Sequence, residues 1–249
     1  MHSKENLLKR LIRKIRLKER LKNIYISITF NENVDPFEND ILKTKSYWIN
    51  SKQWHDEDQA SNQIISNQYY LDKYNLIYEN IIGREIQEFV KDKAFYVLEI
   101  GCSKGQFLFY LDQQLTKRFR PAKSYFGIEI NQETCNEALE RSNQLGNDSF
   151  TFSSSKTPGE IIDSLSIDED MILLVFTIRT LAHFIDSEYY EFVESMKKIN
   201  KGLIISSENA YTSKRLLKNF NDSNVNVFIN RKRLHGHRLS IIQIDKSHN

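Results

Sequence analysis

The sequence predicts an α/β fold in which a mostly parallel sheet is covered by helices on both faces. From residue 96 to residue 220, five short β-rich runs alternate with helical patterns, as in parallel strands joined by crossover helices. Two further β-rich runs around a turn with Gly236 predict a terminal antiparallel hairpin. The 249 residues, 40% of them hydrophobic, suffice for one large domain with an extension.

The first 22 residues predict a basic amphipathic helix. Nine Lys or Arg and two acidic residues give this segment a local charge of +7, which leaves −5 for the rest of the chain. Its apolar residues at helical spacing are Leu7, Leu8, Leu11, Ile12, Ile15 and Leu21. Two roles remain open: packing on the main domain or a partner protein, and peripheral docking on an anionic membrane surface.

The predicted main domain follows an extension that ends at residue 68. Residues 31–67 lack a regular period and predict loops and short helices, whereas residues 69–91 predict one or two helices before the sheet. The five strand and helix pairs are YVLEI with QFLFYLDQQL, SYFGIEI with QETCNEALERSNQL, SFTF with GEIIDSL, MILLVF with SEYYEFVESMKKI, and GLIISS with SKRLLKNF. The terminal hairpin comprises VNVFIN and LSIIQI, so we expect domains at 1–68 and 69–249.

Composition and charge narrow the partners and the compartment. The apolar runs, such as Met171 to Phe176, are far shorter than the roughly 20 residues that span a bilayer, and the N-terminus lacks the apolar core of a signal peptide. Two cysteines, Cys102 and Cys135, provide no disulfide framework, so the cytoplasm is expected. The acidic main body disfavours nucleic acid as a substrate, because phosphate binding needs clustered Lys and Arg.

The most informative motif is Glu99-Ile-Gly101-Cys-Ser103-Lys-Gly105, where an apolar strand ends and a helical pattern begins. Glycines at such a junction allow a sharp turn and close approach of a ligand to the backbone. Open α/β sheets bind ligands at the carboxyl ends of their strands. The motif therefore predicts a cofactor site.

This motif resembles the first motif of class I S-adenosylmethionine-dependent methyltransferases, with Ser103 in place of the usual middle glycine. The resemblance covers residues 69–245 and implies a Rossmann-like, seven-stranded, mostly parallel sheet with a C-terminal antiparallel hairpin. It implies S-adenosylmethionine as cofactor, with its amino-acid part facing Glu99 and the loop. The predicted cofactor contacts are Glu99, Gly101, Cys102, Ser103, Gly105, Glu129, Ile130 and Thr177.

Glu129 ends the second predicted strand, SYFGIEI. A carboxylate at this strand tip can accept hydrogen bonds from both hydroxyls of a ribose. The resemblance implies the same role for Glu129. The alternative is a solvated glutamate that caps the following helix.

Two other enzyme classes match part of the glycine motif. The G-x-S-x-G pattern is also that of an α/β-hydrolase nucleophile, which would be Ser103, but that fold needs several strands before it. A dinucleotide-dependent dehydrogenase requires G-x-G-x-x-G, and this chain has Ser103 and Gln106 at two of those positions. Both classes are disfavoured.

The segment after the fourth strand contains the candidate catalytic residues Arg179 and His183. Leu181-Ala-His183 resembles the Leu-x-His segment of the methyltransferase family, with looser spacing from the strand. His183 is a candidate general base, because its ordinary pKa suits proton transfer near neutral pH, or it orders the loop. Arg179 is a candidate contact for an anionic group of the substrate, or it forms a surface ion pair.

Two features depart from the family pattern or suggest other chemistry. Many family members place an acidic residue after the third strand to contact adenine, whereas this chain has Ser153 to Ser155. His235 and His237 would need an acidic partner to hold a metal, and a turn of this kind is usually solvated, so no metal is expected.

We expect methyl transfer to an oxygen or nitrogen of a small-molecule acceptor. The basic amphipathic leader resembles those of enzymes that modify cell-surface glycans, which suggests a saccharide hydroxyl. The segments Trp54-His55-Asp56-Glu57-Asp58 and Tyr69-Tyr70 lie in the region where family members commonly build a cap over the substrate. Two roles remain open for them: closing over the substrate, and packing the N-terminal helices against the sheet. The alternative is a non-catalytic cofactor-binding or regulatory protein, which Ser103 and the missing acid after the third strand would fit. Oligomeric state stays open.

Overall fold

The computed structural model describes residues 83–167, 170–178, 180–208, 210–220, 225–228, 233–234 and 237–246. The predicted helix at 1–22, the extension to residue 68 and the helical region at 69–82 lie outside the described residues. The domain boundary at residue 68 therefore stays a prediction. Among the described residues, no helix is long and apolar enough to span a membrane.

Alternation of strands and helices, predicted from the sequence, is confirmed. The helices are α1 (Gly83–Val90), α2 (Gln106–Arg118), α3 (Gln132–Leu145), α4 (Pro158–Ser164), α5 (Asp186–Lys198) and α6 (Ala210–Phe220). The strands are β1 (Phe95–Ile100), β2 (Ser124–Ile128), β3 (Phe150–Ser153), β4 (Ile172–Ile178), β5 (Lys201–Glu208), β6 (Val225–Phe228), β7 (Arg233–Leu234) and β8 (His237–Asp245). One 3₁₀ turn, Leu181–His183, follows β4 in the described part of the chain.

The strands form one mixed sheet in the order β3-β2-β1-β4-β5-β8-β6, with β7 paired to β8. Strands β1 to β5 are parallel, and β8 runs antiparallel to both β5 and β6. The predicted antiparallel end is thus confirmed, but β8 lies between β5 and β6. The sequence predicts seven strands, and the described residues form a sheet of eight. The additional strand is β7, whose two residues are too few to form a periodic pattern.

Helices bury both faces of the sheet, which explains its apolar strands. All six residues of β1 are buried, and alternate side chains enter two separate cores. Val97 packs with residues of α1 and α2, whereas Leu98 packs with residues of α4, α5 and α6. Strands buried on both faces read as continuous apolar runs, as observed here.

The strand order reverses direction between β1 and β4. Chain connections lead from β1 outward to β2 and β3, and then return to β4 and β5 on the other side. In open parallel sheets the loops at this reversal separate and leave a crevice at the carboxyl ends of the strands. The glycine motif that follows β1 lies at that edge.

Candidate functional site

The loop after β1 adopts a tight turn that depends on its glycines. Gly101 and Gly105 have φ angles of 76° and 73°, in the left-handed region that favours glycine. The N–H groups of Gly101 and Cys102 both donate to the carbonyl of Ile128, at 2.8 and 3.0 Å. The loop is therefore bound to the end of β2 before α2 begins.

Ser103, in the middle of the glycine loop, has a left-handed backbone conformation. Its φ is 49°, which a non-glycine residue adopts at some cost. The backbone N–H of Ser103 donates to Oε2 of Glu129 at 2.9 Å. Ser103 therefore takes part in the turn and connects the loop to Glu129, the residue after β2.

Glu129 binds two loops through its carboxylate. Oε2 accepts from Ser103, and Oε1 accepts from the backbone N–H of Asn131 at 3.0 Å. Burial raises the pKa of Glu129, although hydrogen bonds from the backbone of Asn131, Ser103 and Ile130 act in the opposite direction. Asn131 in turn caps α3 by accepting from the N–H of Thr134 at 2.9 Å. Glu129 therefore belongs to the loop framework as well as to the predicted ribose site.

Glu99 is a buried acid with a free oxygen. Its side chain is 5% exposed, and Oε2 has no hydrogen-bond partner among the described residues. Burial, with a smaller contribution from the nearby Glu129 carboxylate, raises the pKa of Glu99 to about 8. A buried carboxyl group without a partner is costly, and a cationic ligand group would compensate for that cost.

Cys102 is buried close to both acidic residues. Its thiol is 3% exposed and contacts the carbonyl of Ser103 at 3.5 Å. Burial raises the pKa of the Cys102 thiol, and the acids Glu99 and Glu129 add to the effect. Cys102 is therefore a neutral packing residue, and any contact with the cofactor would be through its backbone.

Ser153, the last residue of β3, and Ser154 form local hydrogen bonds. The Ser153 hydroxyl accepts from the N–H of Lys156 at 3.2 Å, and the Ser154 hydroxyl donates to the side-chain carbonyl of Gln132. An acidic residue is absent from this loop between Ser153 and Thr157. The predicted role of serine in adenine binding stays a prediction.

Thr177, near the end of β4, binds Glu208 through its hydroxyl. It is completely buried, and its hydroxyl donates to Oε1 of Glu208 at 2.8 Å. The same oxygen accepts the backbone N–H groups of Thr180 and Leu181, at 2.9 and 3.1 Å. Because its hydroxyl is directed to Glu208, only the backbone of Thr177 remains for the predicted cofactor contact.

Glu208 is the residue of this edge that the sequence analysis missed. It ends β5, is fully buried, and has a pKa raised by burial in spite of the hydrogen bonds that it accepts. The signal that indicates it is an acidic residue at the end of an apolar strand. Glu99 and Glu129 share that signal, but the predicted fifth strand ended at Ser207.

The candidate base lies on the segment that Glu208 holds. His183 ends the 3₁₀ turn, and its N–H donates to the carbonyl of Thr180 at 2.9 Å. Burial lowers the pKa of His183, which favours the neutral imidazole that a base requires. Arg179, the candidate contact for an anionic group, lies outside the described residues, as do His235 and Gly236.

The segment after β4 also contacts the glycine loop. A Cβ atom at Gly101 would lie 2.2 Å from Oγ1 of Thr180, so the backbone of Gly101 approaches that side chain closely. The edge thus joins Glu99, the glycine loop, Glu129 and the His183 segment. Ile130 is half-buried beside Glu129.

Comparison with known proteins identifies the family. A family model described as a methyltransferase domain matches residues 91–244, more than half of the chain. No curated protein matches. The family match removes the hydrolase and dehydrogenase alternatives.

Solved structures with a similar fold are distant in sequence. Magnesium protoporphyrin IX methyltransferase from Synechocystis PCC 6803, with bound S-adenosylmethionine, is 14% identical, with coverage of 87% of this chain and 100% of that chain and a TM-score of 0.52. An S-adenosylmethionine-dependent methyltransferase from Aquifex aeolicus is 15% identical, with coverage of 72% and 98% and a TM-score of 0.48. Geranyl diphosphate C-methyltransferase from Streptomyces coelicolor A3(2) is 9% identical, with coverage of 86% and 98% and a TM-score of 0.48.

The family model and the strand order agree with the resemblance seen in the glycine motif. The chain therefore belongs to the methyltransferase domain family, and its identification from the sequence as a class I S-adenosylmethionine-dependent methyltransferase is confirmed.

Proposed function

We propose that this protein transfers a methyl group from S-adenosylmethionine to an oxygen or nitrogen of a small-molecule acceptor. The observation that carries the proposal is the buried, unpartnered Oε2 of Glu99 beside the Ser103–Glu129 hydrogen bond. An acid kept in such a place without a partner suits a ligand that brings its own positive charge. Both acids lie at the edge where parallel sheets bind cofactors.

The residues present fit the cofactor. Glu99 would bind the amino group of its methionine part, and the loop backbone from Gly101 to Gly105 would pass beneath it. Both oxygens of Glu129 accept backbone N–H groups, and an ionised carboxylate has about four acceptor positions in all. Glu129 would use this capacity for the ribose hydroxyls.

The chemistry requires little of the protein beyond alignment and proton transfer. When bound, S-adenosylmethionine supplies a methyl group that its positively charged sulfur already activates. The loop after β4 would orient the acceptor and exclude water. Correct orientation of the two reactants can lower the barrier by roughly 7 to 11 kcal/mol. His183 would remove a proton from the acceptor, and Arg179 would bind an anionic group.

For the acceptor we propose a saccharide hydroxyl, with the reaction near the cytoplasmic face of a membrane. Residues 23–249 have a net charge of −5, which disfavours binding of nucleic acid. Residues 1–22 carry +7, which favours binding to an anionic surface. A peripheral helix would bring the enzyme to lipid-linked or cell-surface sugars.

The experiment incubates the full chain with methyl-labelled S-adenosylmethionine and a panel of saccharide, phenol and amine acceptors, and measures S-adenosylhomocysteine and labelled product. We expect transfer to a hydroxyl or amine, with a loss of about 10²-fold or more in kcat in His183→Ala and unchanged cofactor affinity. Cofactor binding without transfer to any acceptor would favour the non-catalytic alternative. Transfer to phenols or amines but not to sugars would overturn only the saccharide.

A further inference from the structure

Glu208 is buried at the end of β5 and concentrates its hydrogen bonds on one oxygen. Oε1 accepts the Thr177 hydroxyl and the N–H groups of Thr180 and Leu181, within 2.8 to 3.1 Å. Oε2, the other oxygen of Glu208, has no hydrogen-bond partner among the described residues. Consecutive N–H groups of the segment after β4 therefore converge on a single buried acid.

The segment that Glu208 holds connects two parts of the site. At one end, Thr180 lies against Gly101, where an added Cβ would come within 2.2 Å of its Oγ1. At the other end is His183, whose N–H donates to the carbonyl of Thr180. Displacement of Thr180 would therefore affect both the glycine loop and the candidate base.

A carboxylate is chemically suited to this task in a way that an apolar residue is not. Burial of an acid is unfavourable unless hydrogen bonds compensate, and bonds to an ionised acceptor are about twice as strong as neutral ones. Glu208 comes 28 residues after Thr180 and 27 after Leu181, so its contacts depend on the parallel pairing of β4 and β5. The acid thus stabilises a loop conformation that local sequence does not enforce.

We propose that Glu208 is a positioning residue that holds residues 180–183 against the glycine loop and so sets the place of His183 beside the methyl donor. The catalytic consequence of this role rests on the proposed function. The hydrogen bonds by which Glu208 fixes residues 180–183 do not depend on any ligand. Glu208 acts through Thr180 and Leu181.

The test compares backbone amide exchange in the full-length protein with that in Glu208→Ala, Glu208→Gln and the matched control Ser240→Ala. Ser240 is buried in the adjacent strand β8, and its hydroxyl has no partner among the described residues. In Glu208→Ala we expect peptides over residues 177–185 to exchange about tenfold faster or more, because charge-assisted bonds are lost. In Glu208→Gln the rise should be about two- to fivefold, because the amide oxygen still accepts without the charge.

Peptides from β1 and α5 should keep their wild-type exchange in Glu208→Gln and in Ser240→Ala. The same variants are titrated with S-adenosylhomocysteine, for which we expect about three- to tenfold weaker binding in Glu208→Ala, partial recovery in Glu208→Gln and no change in Ser240→Ala. If Glu208→Ala does not fold, Glu208→Gln decides by the same criterion.

Two outcomes would overturn the proposal. One is unchanged exchange over residues 177–185 in a folded Glu208 variant, and the other is a rise of equal size across the whole sheet or in Ser240→Ala. Exchange is measured without ligand, so it reports on Glu208 even if the wild-type protein fails to bind S-adenosylhomocysteine. That failure would count against the proposed function and leave the positioning role intact.

Discussion

Three acidic residues lie at or beside the carboxyl ends of strands in one sheet: Glu99, Glu129 and Glu208. Burial raises the pKa of each carboxyl group. They differ in what they bind. Glu129 accepts backbone N–H groups on both oxygens and Glu208 accepts them on Oε1, so both acids hold loops. Oε2 of Glu99 and Oε2 of Glu208 have no partner among the described residues. Glu99 directly precedes the glycine loop, so it is the acid placed for the cationic group of the proposed ligand.

The raised pKa of Glu99 predicts a pH dependence of stability. Unfolding returns the group from a pKa of about 8 to the ordinary value of 4.5, so the folded state retains a proton that the unfolded state releases. Its contribution is complete below the ordinary value and is lost as pH rises through the folded value. From about pH 5 to about pH 8.5, the free energy of unfolding of the wild type should fall by roughly 2 to 4 kcal/mol more than that of Glu99→Gln.

Chemical denaturation of both proteins at several pH values measures this difference. Burial raises the pKa of Glu129 and Glu208 too, but both remain in the variant, so the comparison isolates Glu99. Parallel pH profiles for the wild type and Glu99→Gln would show that Glu99 titrates as an ordinary exposed acid.

At the scale of elements, side chains at helix starts place the loops around the site. Asn131, two residues after Glu129, caps α3. Thr157 caps α4 and forms a reciprocal pair of hydrogen bonds with Glu160. The Thr157 hydroxyl accepts from the N–H of Glu160 at 3.1 Å and donates to Glu191 of α5 at 2.8 Å. Thr157 therefore stabilises α4 and its contact with α5 together.

Thr157→Ala should destabilise the protein by about 1 to 2 kcal/mol, the usual effect of removing a helix cap, while Thr157→Ser should lose less than about 0.5 kcal/mol. Thermal or denaturant unfolding measures both. Cofactor affinity is expected to remain unchanged, because the contacts of Thr157 are with α4 and α5. Equal stability of Thr157→Ala and the wild type would contradict the capping role.

The sequence pattern is sufficient to predict elements with a clear period. It is insufficient where contacts with residues distant in the sequence determine a strand end or the partner of a side chain. Helix α3 was predicted over 132–145 and is found there, because its apolar positions and its Asn131 cap are local. The sequence predicts that β5 ends at Ser207, since a charged residue interrupts an apolar run, but pairing with Arg238 of β8 keeps Glu208 in the strand. Thr177 is a predicted cofactor contact from its place at the end of the fourth strand, and the hydrogen bond of its hydroxyl to Glu208, 31 residues later, leaves no local signal in the sequence.

At the scale of the whole molecule, charge is divided unevenly along the chain. Residues 1–22 carry +7 and the remainder −5. The helix predicted for residues 1–22 lies outside the described residues, and its role stays a proposal. A basic helix at residues 1–22, separate from the methyltransferase domain, would localise the enzyme without contributing to its chemistry.

Removal of residues 1–22 tests that separation. Basic residues near an anionic surface contribute roughly 1 kcal/mol each, and salt weakens the attraction. The full chain should therefore sediment with anionic vesicles at low salt and dissociate at high salt, whereas the shortened chain should not bind vesicles but should bind S-adenosylhomocysteine normally. Absence of vesicle binding by the full chain at every salt concentration would contradict the membrane role. Unfolding of the shortened chain would favour packing within the protein.

Calorimetric titration of S-adenosylhomocysteine into the full chain, Glu129→Ala and the control Glu133→Ala tests the cofactor site most directly. Glu133 is an exposed acid in the first turn of α3, close in sequence to Glu129. We expect saturable one-to-one binding to the wild type, a loss of about 1.5 to 3 kcal/mol in Glu129→Ala, as for hydrogen bonds to a charged group, and little change in Glu133→Ala. Absence of binding to the wild type, or equal affinity in a folded Glu129→Ala, would contradict the assignment of this edge as the S-adenosylmethionine site.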